Sequence, residues 1–190
     1  MKLIINFSFE PHFVALYDDT DVLVNSATWT DFKQGSKYVW DFLEAHKIGK
    51  EIDLNFIGGV SGPGGFSSLR VSGAILNALG YKFDLSVHQV RADVIARALV
   101  GGENFCLNSF GDGVFVPEGK DIIRIAAENA KTLMNDQPTF VDWLPEKKRT
   151  GFTPLTIEKD IVQTTFEVLK IQTPKKIFMP DYEYPAVQKN

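Results

Sequence analysis

Asp53-Leu54-Asn55-Phe56-Ile57-Gly58-Gly59-Val60-Ser61-Gly62-Pro63-Gly64-Gly65-Phe66-Ser67-Ser68-Leu69-Arg70 passes from strand character, through glycines, into a helix. Asp53 to Ile57 reads as a strand, and Gly58 to Gly65 as a glycine-rich connection. Beyond it Leu69, Ala74, Ile75, Ala78 and Leu79 recur near helical spacing, with Gly80 as the expected stop. A strand feeding glycines and then a helix has two readings. Bare backbone N–H groups converging at a helix N-terminus cradle an anion; alternatively, Gly and Pro simply make a tight turn. No Gly-Lys-Ser/Thr completes a P-loop, and Gly62-Pro63-Gly64 lacks the Gly-x-Gly-x-x-Gly spacing of a dinucleotide site. On residue grounds both readings stay open.

Outward from this stretch the chain alternates strand and helix signals. Leu3 to Phe7, Phe13 to Tyr17 and Val22 to Ala27 are short apolar runs separated by Glu10-Pro11 and Asp18-Asp19-Thr20-Asp21, the pattern of a β-meander. Thr30-Asp31 offers a cap for a helix carrying Phe32, Val39, Phe42 and Leu43, with Gly35 as a weak point and an end near Gly49. Phe83 to Val87 reads as a strand and Ala92 to Val100 as a helix. The order β-β-β-α-β-α-β-α predicts a mixed α/β fold with a central sheet. Past Gly101, Phe105 to Phe110 and Gly113 to Val116 suit a hairpin across Gly111-Asp112. Ile122 to Met134 fits strand or helix equally. Thr156 to Leu169 reads as a helix with Glu158 in its first turn, and Ile177 to Val187, with Pro180 and Pro185, as an extended strap.

Composition narrows the classes. The 190 residues, 44% hydrophobic and 23% charged, describe an ordinary folded chain able to bury its own core. A net charge of −4 gives no basic footprint for gripping nucleic acid unaided. The single cysteine, Cys106, has no pairing or ligand-spaced partner, and no run approaches the roughly 20 apolar residues of a membrane span. A cytoplasmic protein without a membrane association is expected.

Gly62 to Arg70 followed by Val71-Ser72-Gly73-Ala74 resembles the Gly-Pro-Gly-Ser-Phe-Thr-Gly-Leu-Arg signature and small-residue helix of the TsaB (YeaZ) family. Gly65 stands for the usual Ser, Ser67 for Thr and Ser68 for Gly. Ile4-Ile5-Asn6-Phe7-Ser8 and Val14-Ala15-Leu16-Tyr17 resemble the family's opening strands, and Ile177 to Tyr182 its tail. The likeness is good over residues 1–100 and thin beyond. It implies an actin-like (ASKHA, ribonuclease H-like) fold, with an N-terminal subdomain over 1–100 and a reduced C-terminal one over 101–190.

It also implies a non-catalytic partner subunit in tRNA threonylcarbamoyladenosine (t6A37) synthesis, pairing with TsaD, joined by TsaE, and able to form a homodimer through the same surface. tRNA would be met only indirectly, no cofactor would be the chain's own, and ATP or ADP would sit only at the interface with TsaD. The implied surface comprises residues 31–47 and 66–79, with Phe32, Ser36, Val39, Trp40, Leu43, Gly62, Pro63, Gly64, Phe66, Ser67, Arg70, Gly73, Ala74 and Asn77 as its candidates. Two physical features agree: Gly73, Ala74 and Ala78 are small enough for close helix approach, and Phe32, Val39, Trp40, Phe42 and Leu43 give the first helix surplus apolar surface. The chain's own core would use both features equally well.

The other classes weighed are a small actin-like ATPase or glycoprotease-type enzyme, and a nucleotide-binding module without hydrolysis. Asn6 aligns where that fold uses a phosphate-orienting Asp, and an amide supplies no charge for a metal ion; its plain role is to hold a turn. His12, His46 and His88 are scattered, with no His-x-x-x-His to hold a metal. Ser67 and Ser68 lack a nucleophile elbow, Cys106 suits a core position, and Asp18, Asp19 and Asp21 suit a solvated turn. No catalytic residue or metal site is expected.

Overall fold

β1 (Lys2–Asn6) and β2 (His12–Tyr17) are almost entirely buried, and this places them between two layers. A computed structural model describes residues 1–109, 111–134 and 137–182, the Phe32 side chain excepted. The five-stranded sheet has the order β3-β2-β1-β4-β5, with β3 at Leu23–Trp29, β4 at Phe56–Gly62 and β5 at Val87–Arg91. β1, β2 and β3 pair antiparallel, whereas β4 and β5 run parallel to β1. Successive side chains of a strand point to opposite faces. Leu3, Ile5, Val14, Leu16, Ile57 and Val87 thus meet α1 (Gly35–Ala45) and α2 (Phe66–Phe83) on one face. Ile4, Phe13, Ala15, Tyr17, Val60 and Val90 meet α3 (Ala92–Val100) and α6 (Ile161–Lys170) on the other. The fold is therefore mixed α/β, a central sheet flanked by helices, as the sequence predicted.

A second meander follows: β6 (Leu107–Asn108), β7 (Gly113–Glu118) and β8 (Asp121–Ala126), ending in α4 (Ala127–Met134). Its β-β-β-α order repeats that of β1 to α1. The sequence left 122–134 open between strand and helix, and the segment is both in turn. The expected hairpin forms but pairs over only Leu107 and Asn108; Phe110 lies outside the described residues. Lys148, in α5 (Glu146–Arg149), is buried, and its Nζ donates to Asn108 Oδ1 at 2.8 Å, Ser109 O at 2.6 Å and Gly113 O at 2.7 Å, pinning this hairpin. Short β9 (Pro138–Thr139) and β10 (Thr153–Pro154) pair alongside.

Several boundaries differ from the sequence reading, each because tertiary contact overrides local preference. The strand expected at 53–57 is β4, which continues through Gly58, Gly59, Val60 and Ser61, so these glycines lie in the sheet and not in a loop. A Cβ on Gly59 would collide with Leu76 and touch Phe178; one on Gly58 would crowd Leu169 and Phe56. Gly80 does not stop α2: it faces Ile57 and Val87, and the helix ends instead at Asp84, in the left-handed conformation with φ 51°. The strand expected at 83–87 accordingly begins only at Val87. Gly35 opens α1 because a Cβ there would run into the Phe7 ring, and α1 ends at Ala45, before Gly49. α6 starts at Ile161, where Asp160 Oδ1 accepts from Gln163 N at 2.8 Å; Glu158 precedes the helix.

Among the described residues no helix is long and apolar enough to cross a membrane. The tail, traced as far as Tyr182, carries no helix and only an isolated bridge at Lys175; residues 183–187 of the expected strap lie outside the described residues.

The turn between β4 and α2 is tightest at Gly64, where a Cβ would lie 2.5 Å from Ser8 O and 2.9 Å from Ser8 Cα. Backbone cannot yield as a side-chain tip can, so Gly64→Ala is expected to cost about 2 kcal/mol in urea unfolding. Gly102→Ala, with nothing within 4 Å of the added Cβ, is the control and should stay within about 0.5 kcal/mol of the parent.

Candidate functional site

α1 and α2 lie on the same face of the sheet, each with a core stripe and an outer stripe. Val39 and Leu43 of α1 are enclosed by the chain's own core, while Ser36 is exposed and Trp40 is 48% exposed. On α2, Leu69, Ile75, Leu76 and Leu79 face inward; Ser67, Arg70 and Ala74 are exposed and Phe66 is 46% exposed. The Arg70 guanidinium lies over the Phe66 ring, 5.4 Å from its centre. Gly62 and Pro63 are buried and Gly64 half-buried at the turn before α2. The Phe32 side chain lies outside what the structure describes.

Gly73 and Asn77 are met by the chain's own tail. A Cβ on Gly73 would be 3.2 Å from Pro180 Cγ, and Asn77 Oδ1 accepts from Phe178 N at 2.7 Å while its Nδ2 donates to Phe178 O at 3.2 Å. The outer stripe therefore comprises Ser36 and Trp40 on one helix and Phe66, Ser67, Arg70 and Ala74 on the other. It includes Trp40 and Arg70, residue types in which binding hot spots are enriched.

Beside the α2 N-terminus a cleft of about 320 Å³ opens between the β1–β2 turn and the segment around α5. Phe7, Ser8, Phe9, Glu10, His12, Gly65 and Ser68 line one wall, and Asn108, Asp142, Trp143, Leu144, Pro145, Glu146 and Arg149 the other. Phe9 and Trp143 stack across it with ring centres 3.6 Å apart. Trp143, Asn108 and Arg149 carried no sequence signal, because only the folded chain brings them to residues 7–12.

Asn6 is fully buried at the floor of the β1–β2 turn. Its Nδ2 donates to Phe9 O at 2.9 Å and Pro11 O at 3.2 Å, and its Oδ1 accepts from Ser8 N at 2.9 Å. The whole amide is spent on the turn. Ser8 Oγ in turn donates to Pro63 O at 2.6 Å, tying that turn to the glycine turn. Ser68 and His12 both reach the cleft, yet no hydrogen bond joins them, and His12 Nδ1 is buried without a partner.

Each of the other chemical candidates is occupied. Asp18 Oδ1 accepts from Thr20 N, Thr20 Oγ1 and Val22 N; Asp19 pairs with the N-terminal amine and Asn55; Asp21 pairs with Lys2 and Lys170. His46 Nε2 lies 3.0 Å from Asn25 Nδ2, and His88 Nδ1 2.9 Å from Gln172 O. Burial pushes the Cys106 thiol up to about 12, away from the reactive thiolate. No group of three or more His, Cys, Asp or Glu able to hold a metal ion occurs among the described residues.

No family model matches this chain, and no curated protein matches it by sequence. Solved structures do. YeaZ from Pseudomonas aeruginosa superposes with a TM-score of 0.57 at 14% identity, covering 96% of this chain and 100% of that one. An uncharacterized protein with similarity to peptidase YEAZ from Pseudomonas aeruginosa gives 0.59 at 12% identity, covering 96% and 99%. The fold is similar to that of YeaZ. At such identities the likeness is one of fold, and it extends over nearly the whole chain, including the half where sequence similarity was thin.

The family resemblance would bring a nucleotide to such a chain, and the residues of this cleft do not fit a metal-bound polyphosphate. Asn6 has neither charge nor a free amide atom to offer. Among the described residues, Glu10, Asp142 and Glu146 line the cleft against one Lys or Arg, Arg149, whose Nε and Nη2 already donate to Leu144 O and Asp142 O, each at 2.6 Å. A polyanion there would meet excess negative charge.

Two expectations follow. Asn6→Asp would set a buried carboxyl group against the carbonyls of Phe9 and Pro11, replacing an amide donor by an oxygen; a loss of about 3 kcal/mol in urea unfolding is expected at neutral pH, where the unfolded chain's carboxylate is charged. His12 is held below the ordinary histidine value chiefly by burial, Glu10 pulling the other way. The folded state thus prefers the neutral ring, so stability is intact above the unfolded value of about 6.5 and is lost as pH falls through the folded one. The urea midpoint should drop between about pH 7 and pH 5, and His12→Phe should flatten part of that drop, His88 supplying the remainder.

Proposed function

We infer that this chain is a non-catalytic docking subunit of the YeaZ/TsaB type, acting with TsaD and TsaE homologues in tRNA threonylcarbamoyladenosine synthesis. The observation that carries the reading is the place of the Gly62–Arg70 signature. It lies at the β4–α2 corner of a fold similar to YeaZ along 96% of the chain, and it launches the helix whose outer stripe is Phe66, Ser67, Arg70 and Ala74. Asn6, spent on its turn, and the acidic cleft favour a scaffold over an ATP-hydrolysing enzyme. In this reading residues 1–100 form the docking half, and 101–190 a reduced second half of an actin-like pair. α1 and α2 pair with TsaD or, in its absence, with a second copy of the chain, and tRNA is met only through the assembled complex. Any ATP or ADP is held jointly with TsaD.

The test is co-elution of the purified chain with its cognate TsaD homologue on size exclusion, with the affinity then measured by calorimetry. Complex formation is expected, and Phe66→Ala with Arg70→Glu should weaken it by roughly a hundredfold, as for a central hot spot. A chain that remains strictly monomeric and fails to co-elute would sink the reading. So would metal-dependent ATP turnover by the chain alone that disappears in Asn6 or Gly64 variants.

A further inference from the structure

Three glycines read from the sequence as a phosphate cradle or a helix–helix contact turn their bare backbone to another part of this same chain. A Cβ on Gly59 would lie 3.3 Å from Phe178, one on Gly62 2.6 Å from Asp181 O, and one on Gly73 3.2 Å from Pro180. Gly59 and Gly62 belong to β4 and Gly73 to α2, so two elements together form a groove that receives residues 174–182. The seated strap is held at several points. Lys175 and Val87 exchange backbone hydrogen bonds of 2.7 and 2.9 Å at the β5 edge. Phe178 is 1% exposed, within the core under α2, with its backbone N–H and C=O both taken by Asn77. Met179 N donates to Gln89 Oε1 at 3.0 Å, Asp181 N donates to Ser61 O at 2.6 Å, and Arg91 pairs with the Asp181 carboxylate at 3.5 Å.

The far end of the strap reaches the docking stripe. Tyr182 lies against Phe66 with ring centres 4.8 Å apart, on the ring that also carries Arg70. Phe66 is the first residue of α2, where nothing of its own helix precedes it to restrict its rotamer. A bracing ring supplied by the strap removes freedom that a partner would otherwise have to freeze on binding. We propose that residues 174–182 are a latch: their seating in the glycine groove fixes Phe66 and Arg70 in the geometry that the docking partner recognises. The proposal rests on the docking reading above. Latch seating and docking are then linked, and each strengthens the other by the same factor.

The test uses the full chain and its cognate TsaD homologue, with two readouts. One is calorimetric affinity; the other is the rate at which trypsin releases the peptides beyond the exposed Lys175 and Lys176, followed by mass spectrometry. Phe178→Ala loosens the strap from its own side, away from the docking stripe. Gly73→Leu fills the seat from α2, where leucine suits a helix better than glycine. Each is expected to speed release at least about tenfold and to weaken docking roughly tenfold, while saturating partner slows release from the parent chain by a matching factor. Circular dichroism melting identifies any variant that has lost the fold, and the other then decides. Phe66→Ala should weaken docking with release changed by less than about twofold, since most strap contacts lie elsewhere. Faster release with unchanged affinity in the folded variants would overturn the latch while leaving the docking reading intact. Absence of binding even by the parent chain ends both.

Discussion

Close approach of neighbouring groups to the bare glycine backbone of β4 is the constraint on which the rest of this structure depends. Gly58 and Gly59 sit in the middle of a parallel strand where side chains are usually large, because Leu76 and Phe178 on one face and Leu169 on the other occupy the positions their Cβ atoms would need. The glycines weaken the strand intrinsically. What offsets this is burial: α2, α6 and the strap all pack within reach of one strand, and β4 is buried along Ile57 to Gly62. Gly62 and Gly64 continue the same logic into the turn, one against the strap and the other against Ser8.

This arrangement connects the core to the proposed docking surface. Packing α2 on β4 consumes its Leu69, Ile75, Leu76 and Leu79 side, seating the strap consumes Gly73 and half of Asn77, and Phe66, Ser67, Arg70 and Ala74 are left facing outward. α1 divides likewise, Val39 and Leu43 inward and Ser36 and Trp40 outward. The β1–β2 turn is closed by Asn6 and cross-tied by Ser8 to Pro63. The hydrogen bonds thus make Asn6 and Ser8 structural members of that corner.

Much of the fold was legible because strands buried on both faces read as near-continuous apolar runs: Leu3 to Phe7 and Phe13 to Tyr17 are such runs, and Ala92 to Val100 was placed to the residue. Local propensity misled wherever glycine served packing. Gly58 and Gly59 look like a loop until the neighbours that exclude a Cβ are known, Gly80 looks like a helix stop until Ile57 and Val87 are seen against it, and Asp84 does the stopping without the usual glycine. At the candidate site, Phe66 and Arg70 were legible only through the family resemblance that named them. The covering of Gly73 and Asn77 was not legible, since Phe178 is 101 residues from Asn77 and only folding joins them. Cleft residues Trp143 and Arg149 were illegible for the same reason.

Amide hydrogen exchange on the full chain, alone and saturated with its cognate TsaD homologue, tests the central claim most directly. The account predicts new protection on the first half of α2, Phe66 to Ala74, and at Ser36 to Trp40 of α1, with the cleft segments 7–12 and 142–149 unchanged. Protection concentrated in those cleft segments, with α1 and α2 unaffected, would contradict it.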